Sequence, residues 1–116
     1  MQRIFLLLFL LISSFIATNA LAGNHTVTGK FKVDGVCEQC KARIEAAAYI
    51  KGVKFADWDV KSQELTVKYD STKTSPELIL KSIAKAGHDN EMFKADDADY
   101  NKIASCCKYR SGIKKH

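Results

Sequence analysis

The chain has 116 residues, a formal net charge of +5 and four cysteines, a length that admits one domain at most. Its lysines (Lys30, Lys41, Lys54 and Lys68 among them) are scattered and mostly alternate with acids. That is the pattern of a solvated surface. A nucleic-acid stripe needs clustering with aromatics, so nucleic acid is excluded as a partner and the charge says nothing about others.

The first 22 residues, MQRIFLLLFLLISSFIATNALA, join Arg3 to an apolar run from Ile4 to Leu11 that fades towards Ile16. Ala20 and Ala22 then stand at the two positions a signal peptidase reads. This predicts a secretory signal cleaved after Ala22, with membrane contact only during export. The strongly apolar stretch is short for a span, which needs roughly 20 residues. Cleavage leaves residues 23–116, and losing Arg3 lowers the formal charge to +4. The periplasm or the exterior is the expected location, where thiols tend to oxidise.

In the mature chain, Val27, Phe31 and Val33 share one face of an alternating segment, read as a half-buried strand. Residues 38–50 read as a helix with Cys40, Ile44 and Ala47 on one side, ended by Gly52. Residues 53–60 and 64–69 read as paired strands joined by Lys61-Ser62-Gln63. Val53 and Phe55 fall out of phase with Ala56, Trp58 and Val60, which predicts a bulge near Phe55. Thr74-Ser75-Pro76-Glu77 starts a second helix with the stripe Leu78, Ile79, Ile83, Ala86, stopped by Gly87. Residues 88–94 are expected to form a last short strand. From Ala95 the chain, three Asp within Asp96–Asp99 and then lysines, reads as a tail with little structure of its own. The domain is thus expected over 23–95 and a charged, cysteine-containing tail over 96–116.

Strand, helix, strand, strand, helix, strand in that order fits an α+β, ferredoxin-like split βαβ sandwich: an antiparallel four-stranded sheet with two helices on one face. Cys37 then lies in the loop leaving the first strand and Cys40 in the first helical turn. Two sulfurs so spaced can converge on one ion. The helix N-terminus lowers thiol pKa and favours the thiolate that binds soft metals. The same geometry favours thiol–disulfide exchange, so the pair alone does not choose. An oxidoreductase of the thioredoxin kind would place an aromatic before the first cysteine and a cis-proline opposite it. Here Val36 precedes Cys37, and the one proline, Pro76, starts a helix. A zinc ribbon would need a second close pair. A two-thiolate site remains, which suits Cu(I), Hg(II) or Ag(I) better than tetrahedral Zn(II).

The stretches VDGVCEQCKARIE (33–45), KGVKFADWDVKSQELTVKYD (51–70) and SIAKAGHD (82–89) resemble, in order and spacing, the heavy-metal-associated domain family. That family includes small copper chaperones, modules of metal-pumping ATPases and the periplasmic mercuric-ion binding protein. The resemblance covers residues 27 to about 94. It implies the same fold, no enzymatic activity, and one soft ion, Cu(I) foremost, held by Cys37 and Cys40. It further implies transfer by ligand exchange to a metal-transporting membrane protein or a cuproprotein. A monomer is expected, with a metal-bridged dimer as the other possibility. Two departures stand out. Gly35 replaces a methionine that many members bury under the loop, which predicts a looser loop. His88 replaces a common aromatic or lysine beside the metal; it could be a third ligand, a proton-controlled gate or a surface histidine.

Cys106 and Cys107 lie outside the resemblance. Adjacent cysteines close only a strained ring with each other. The ten residues 95–104 could span about 33 Å if extended, enough to return to the metal end. The pair could then supply auxiliary metal thiolates or disulfide partners for Cys37 and Cys40; cysteine arithmetic cannot give connectivity. Two other readings therefore stay open: a periplasmic thiol–disulfide redox protein using all four cysteines, and a structural domain sealed by two disulfides. His25 and His116 read as bystanders.

Overall fold

The structure, a computed structural model, describes residues 24–112; the expected signal peptide and His116 lie outside the described residues. Among the described residues no helix is long and apolar enough to cross a membrane. The elements are β1 (Thr26–Lys32), α1 (Glu38–Ala48), β2 (Val53–Asp59), β3 (Glu64–Asp70), α2 (Pro76–Lys85) and a short α3 (Asp97–Asn101). Two 3-10 turns follow, Ser105–Cys107 and Tyr109–Ser111.

The sheet is antiparallel with strand order β1-β3-β2. Alternation decides which face is covered. Ala56 and Trp58 in β2 and Leu65, Val67 and Tyr69 in β3 are buried, while Asp57, Asp59 and Lys68 between them are exposed. Both helices supply the same core, through Ile44 and Ala48 of α1 and Ile79, Leu80 and Ile83 of α2. The expected bulge is present: Val53 pairs with Tyr69 but Phe55 with Lys68, so Lys54 is the extra residue. Ser75 caps α2, its hydroxyl accepting the Leu78 N–H at 3.3 Å, and Pro76 begins it. The stripe of α2 is rotated from the expected one: Leu78 is 53% exposed, and Leu80 takes the buried place.

The expected fourth strand is a correction. Among the described residues the sheet has three strands, and residues 88–94 make one antiparallel bridge, Val33 to Asn90. Side chains stop the ladder there. The Asn90 side-chain oxygen accepts the N–H groups of Met92 and Phe93 and turns the chain away. The Glu91 carboxylate takes the Lys32 N–H at 2.8 Å, a donor that another backbone carbonyl would otherwise use.

The segment beyond Ala95 also differs from the expectation of a tail with little structure. Tyr100, Ile103 and Cys107 are buried in the common core. Gly87, at φ 103°, is where the segment docks: a Cβ there would stand 2.6 Å from Ile103 and 2.9 Å from the Asp99 carbonyl. Burying Ile103 contributes on the order of 2 kcal/mol, enough to hold a short helix that would not persist alone.

Candidate metal centre

Cys37 is the N-cap of α1, in extended conformation (φ −152°, ψ 176°), and its carbonyl accepts the Lys41 N–H at 3.0 Å. Its side chain makes no capping hydrogen bond, but the backbone N–H groups of Cys40 and Gln39 at the helix start favour its thiolate. Cys40, one turn on, is fully buried with its Sγ 3.6 Å from that of Cys37. Fold and helix start therefore bring the expected pair together.

A third sulfur comes from the C-terminal segment. Cys107 Sγ lies 3.3 Å from Cys37 Sγ, and the Sγ atoms of Cys37, Cys40 and Cys107 all lie within 4.8 Å of one another. None of the four cysteines is disulfide-bonded. Cys106 is set apart: its Sγ is 4.0 Å from Cys107 Sγ, and its thiol donates to the Gln39 side-chain oxygen at 2.9 Å. Cys37, Gln39 and Cys106 line a cleft of about 310 Å³ that opens at Cys37.

The thiols differ in acidity. Burial pushes Cys37 up, but the N–H groups of Cys40 and Gln39 and the neighbouring thiols outweigh it and bring it down to about 7. Cys107 goes the other way, raised to about 11, mainly by burial and then by the Cys40 thiol, with the Arg43 guanidinium pulling it partly back. Burial, followed by the Cys107 thiol, likewise raises Cys106. The arrangement therefore offers a ready thiolate at Cys37 beside a protonated thiol at Cys107.

His88 is fully buried and so is not a surface histidine. Its Nδ1 lies 2.8 Å from the Asp34 carbonyl, which can only accept, so Nδ1 carries the proton. Nε2 faces the Arg43 guanidinium at 3.4 Å, and the ring stacks on Tyr109. Both ring nitrogens are thus engaged. Burial pushes its pKa down to about 4, with the Arg43 charge adding to the effect and the Asp34 carbonyl opposing it. The loop around Gly35 is packed rather than loose. A Cβ on Gly35 would meet the Trp58 ring at 2.8 Å, and that indole, fully buried, donates from Nε1 to the Val33 carbonyl at 3.0 Å. Gln63 adds a bond to the Gly35 carbonyl at 2.6 Å. Trp58, Arg43 and Tyr109 were not singled out as site residues by the sequence; Trp58 alone gave a signal, as a large aromatic in phase with the core face.

Buried sulfurs gathered at a helix start, on a small α+β scaffold, define a metal-binding domain of the chaperone-like kind. The sequence profile of the heavy-metal-associated domain matches residues 30–89, just over half of the chain, and the chain belongs to that family. No curated protein sequence matched it. Solved structures do. One is a CopZ metallochaperone, 29% identical over 55% of this chain and 98% of its own, with TM-score 0.53. Another is oxidized MerP from Ralstonia metallidurans CH34, 28% identical over 57% of this chain and 94% of its own, with TM-score 0.54. A third is the N-terminal domain of a potential copper-translocating P-type ATPase from Bacillus subtilis in the Cu(I)-loaded state. It is 26% identical over 62% of this chain and 92% of its own, with TM-score 0.54. Cys106 and Cys107 fall beyond the matched residues.

Proposed function

We propose that the protein is an exported, non-enzymatic carrier of one soft metal ion, Cu(I) foremost, with Hg(II) and Ag(I) as alternatives. Cys37 and Cys40 hold the ion and pass it on by ligand exchange. The observation that carries this reading is the pair of buried sulfurs 3.6 Å apart at the start of α1, one of them ionising near neutrality. A bound ion needs ligands that are thiolate at working pH, and soft sulfur selects soft cations. Transfer needs room for an incoming ligand, and the cleft at Cys37 provides it. The acceptor would be a metal-transporting membrane protein or a cuproprotein, in line with the similarity to a P-type ATPase domain. Export rests on the apolar N-terminal run and Ala20-Leu21-Ala22.

A redox reading has one observation in its favour, the 3.3 Å approach of Cys37 and Cys107 sulfurs, close enough to bond after a small shift. One experiment separates the two. The protein is purified from an exporting host without reductant, and native mass spectrometry counts metal, free thiols and residues removed. The carrier reading expects cleavage after Ala22, one ion per chain, and its loss in Cys37→Ser. Four oxidised cysteines with no metal taken up after gentle reduction and Cu(I) or Hg(II) titration would sink it.

A further inference from the structure

The two-cysteine motif gives a site with two ligands, yet a third thiol is built into the same cluster by residues that have no part in that motif. A buried cysteine is ordinarily a small apolar side chain among carbon atoms. Cys107 is fully buried but lies against sulfur, within 4.8 Å of both Cys37 and Cys40.

The scaffold that puts it there is specific. Arg110 forks onto Asp89, Nε to Oδ2 at 3.1 Å and Nη2 to Oδ1 at 2.6 Å, and also donates to the Ala95 carbonyl at 2.7 Å. The Tyr109 hydroxyl donates to the Gly87 carbonyl at 2.7 Å and accepts the Asp89 N–H at 2.8 Å. Asp34 N–H donates in turn to the Asp89 carbonyl, just upstream of Cys37. Cys107 is therefore clamped to the same short segment that braces the metal loop.

We infer that Cys107 is the third ligand of the metal centre, completing a trigonal three-thiolate site with Cys37 and Cys40, and that Cys106 stays outside it. This rests on the carrier reading above. Geometry and charge both support it. With metal–sulfur bonds of about 2.3 Å, three sulfurs around a central ion stand about 4 Å apart. The observed 3.6 and 3.3 Å need to open by about 0.4 and about 0.7 Å to reach that spacing. Each sulfur binds as thiolate, so the Cys107 proton leaves to solvent as its metal–sulfur bond forms. Three thiolates around a divalent ion leave one negative charge in a buried setting. Arg43, which reaches the Cys107 thiol, offsets that charge.

The test uses Hg(II) at one equivalent on the reduced full chain as isolated. X-ray absorption counts sulfur neighbours, and gel filtration confirms a monomer. Three sulfurs are expected in the unaltered protein and in Cys106→Ser, falling to two, with shorter bonds, in Cys107→Ser. Two sulfurs in the unaltered protein, or four, would overturn the inference while leaving the carrier reading intact. So would loss of the third sulfur in Cys106→Ser rather than Cys107→Ser, or a third sulfur that appears only in a metal-bridged dimer. Where Hg(II) is not taken up the same count is made with Cu(I); failure to bind either ion, or binding unchanged in Cys37→Ser, would instead overturn the carrier reading itself. Should Cys107→Ser not fold, the count in the unaltered protein and in Cys106→Ser still decides.

Discussion

The two halves of the sulfur cluster are held in place by different means. Cys37 and Cys40 sit on one turn of backbone, at the start of an 11-residue helix whose Ile44 and Ala48 are anchored in the core. Cys107 sits in a three-residue 3-10 turn, too short to hold itself, and is fixed by side chains from far along the chain. The first half is a local device and should survive many substitutions around it. The second depends on a few polar contacts, so it is the half that single changes will loosen.

His88 is the seam between the halves, bonded to Asp34 beneath the metal loop and stacked on Tyr109 of the tail. It gives the largest stability effect we expect. The folded state holds its pKa at about 4, against about 6.5 when unfolded. Between those values the unfolded chain binds the extra proton, so stability rises with pH there. Stability is complete above about pH 6.5 and is lost as pH falls towards 4, by roughly 3 kcal/mol at most. Arg43 and Asp89 also face the ring, with opposite effects on it. Urea unfolding of the reduced, metal-free protein at stepped pH should show this slope, and His88→Gln should flatten it. An equal slope in His88→Gln would assign it to other groups. The carboxylates with lowered values, Asp59, Asp70 and Asp89, lose their contribution only at lower pH.

Breaking the clamp comes next. Arg110 and Asp89 side chains are about one-fifth exposed, so their pair is neither screened away nor deeply buried. Arg110→Ala leaves Asp89 without its fork, and we expect about 2 kcal/mol of destabilisation. More telling is where the effect falls. Alkylation of Cys106 and Cys107 should accelerate well ahead of that of Cys40. Equal acceleration at Cys40 would show that the two halves open together and would erase the distinction drawn here.

That distinction also explains what the sequence could tell. Strand alternation, the Ser75-Pro76 helix start, the bulge near Phe55 and the Cys37–Cys40 pair are local patterns, and local patterns are legible. The fourth strand was expected from the order of elements rather than from any alternation in residues 88–94, whose apolar residues Met92 and Phe93 are adjacent. What stops them is Asn90 and Glu91 bonding to backbone that a linear reading cannot place. Gly35 was misread for the same reason: its neighbour is Trp58, 23 positions away. The tail looked unstructured because its charges were counted as solvated, whereas Arg110 and Asp89 face each other.

The finest probe of the comparison is Tyr109→Phe. It keeps the ring that stacks on His88 and meets Tyr100 edge-on, and deletes only the hydroxyl between Gly87 and Asp89. Two backbone groups lose a partner, the N–H of half-buried Asp89 and the carbonyl of buried Gly87. The cost should be about 1 kcal/mol, below that of Arg110→Ala. The overall fold should not register it, but the position of Cys107 should. Since the Asp89 N–H fixes the segment that also bonds Asp34, the substitution should speed exchange of the third sulfur and leave the Cys37–Cys40 pair unaffected. Thiol-specific labelling followed by peptide mass mapping resolves the two rates. If Cys107 labels no faster than in the unaltered protein, its place is fixed by burial of Tyr100 and Ile103 rather than by the polar clamp.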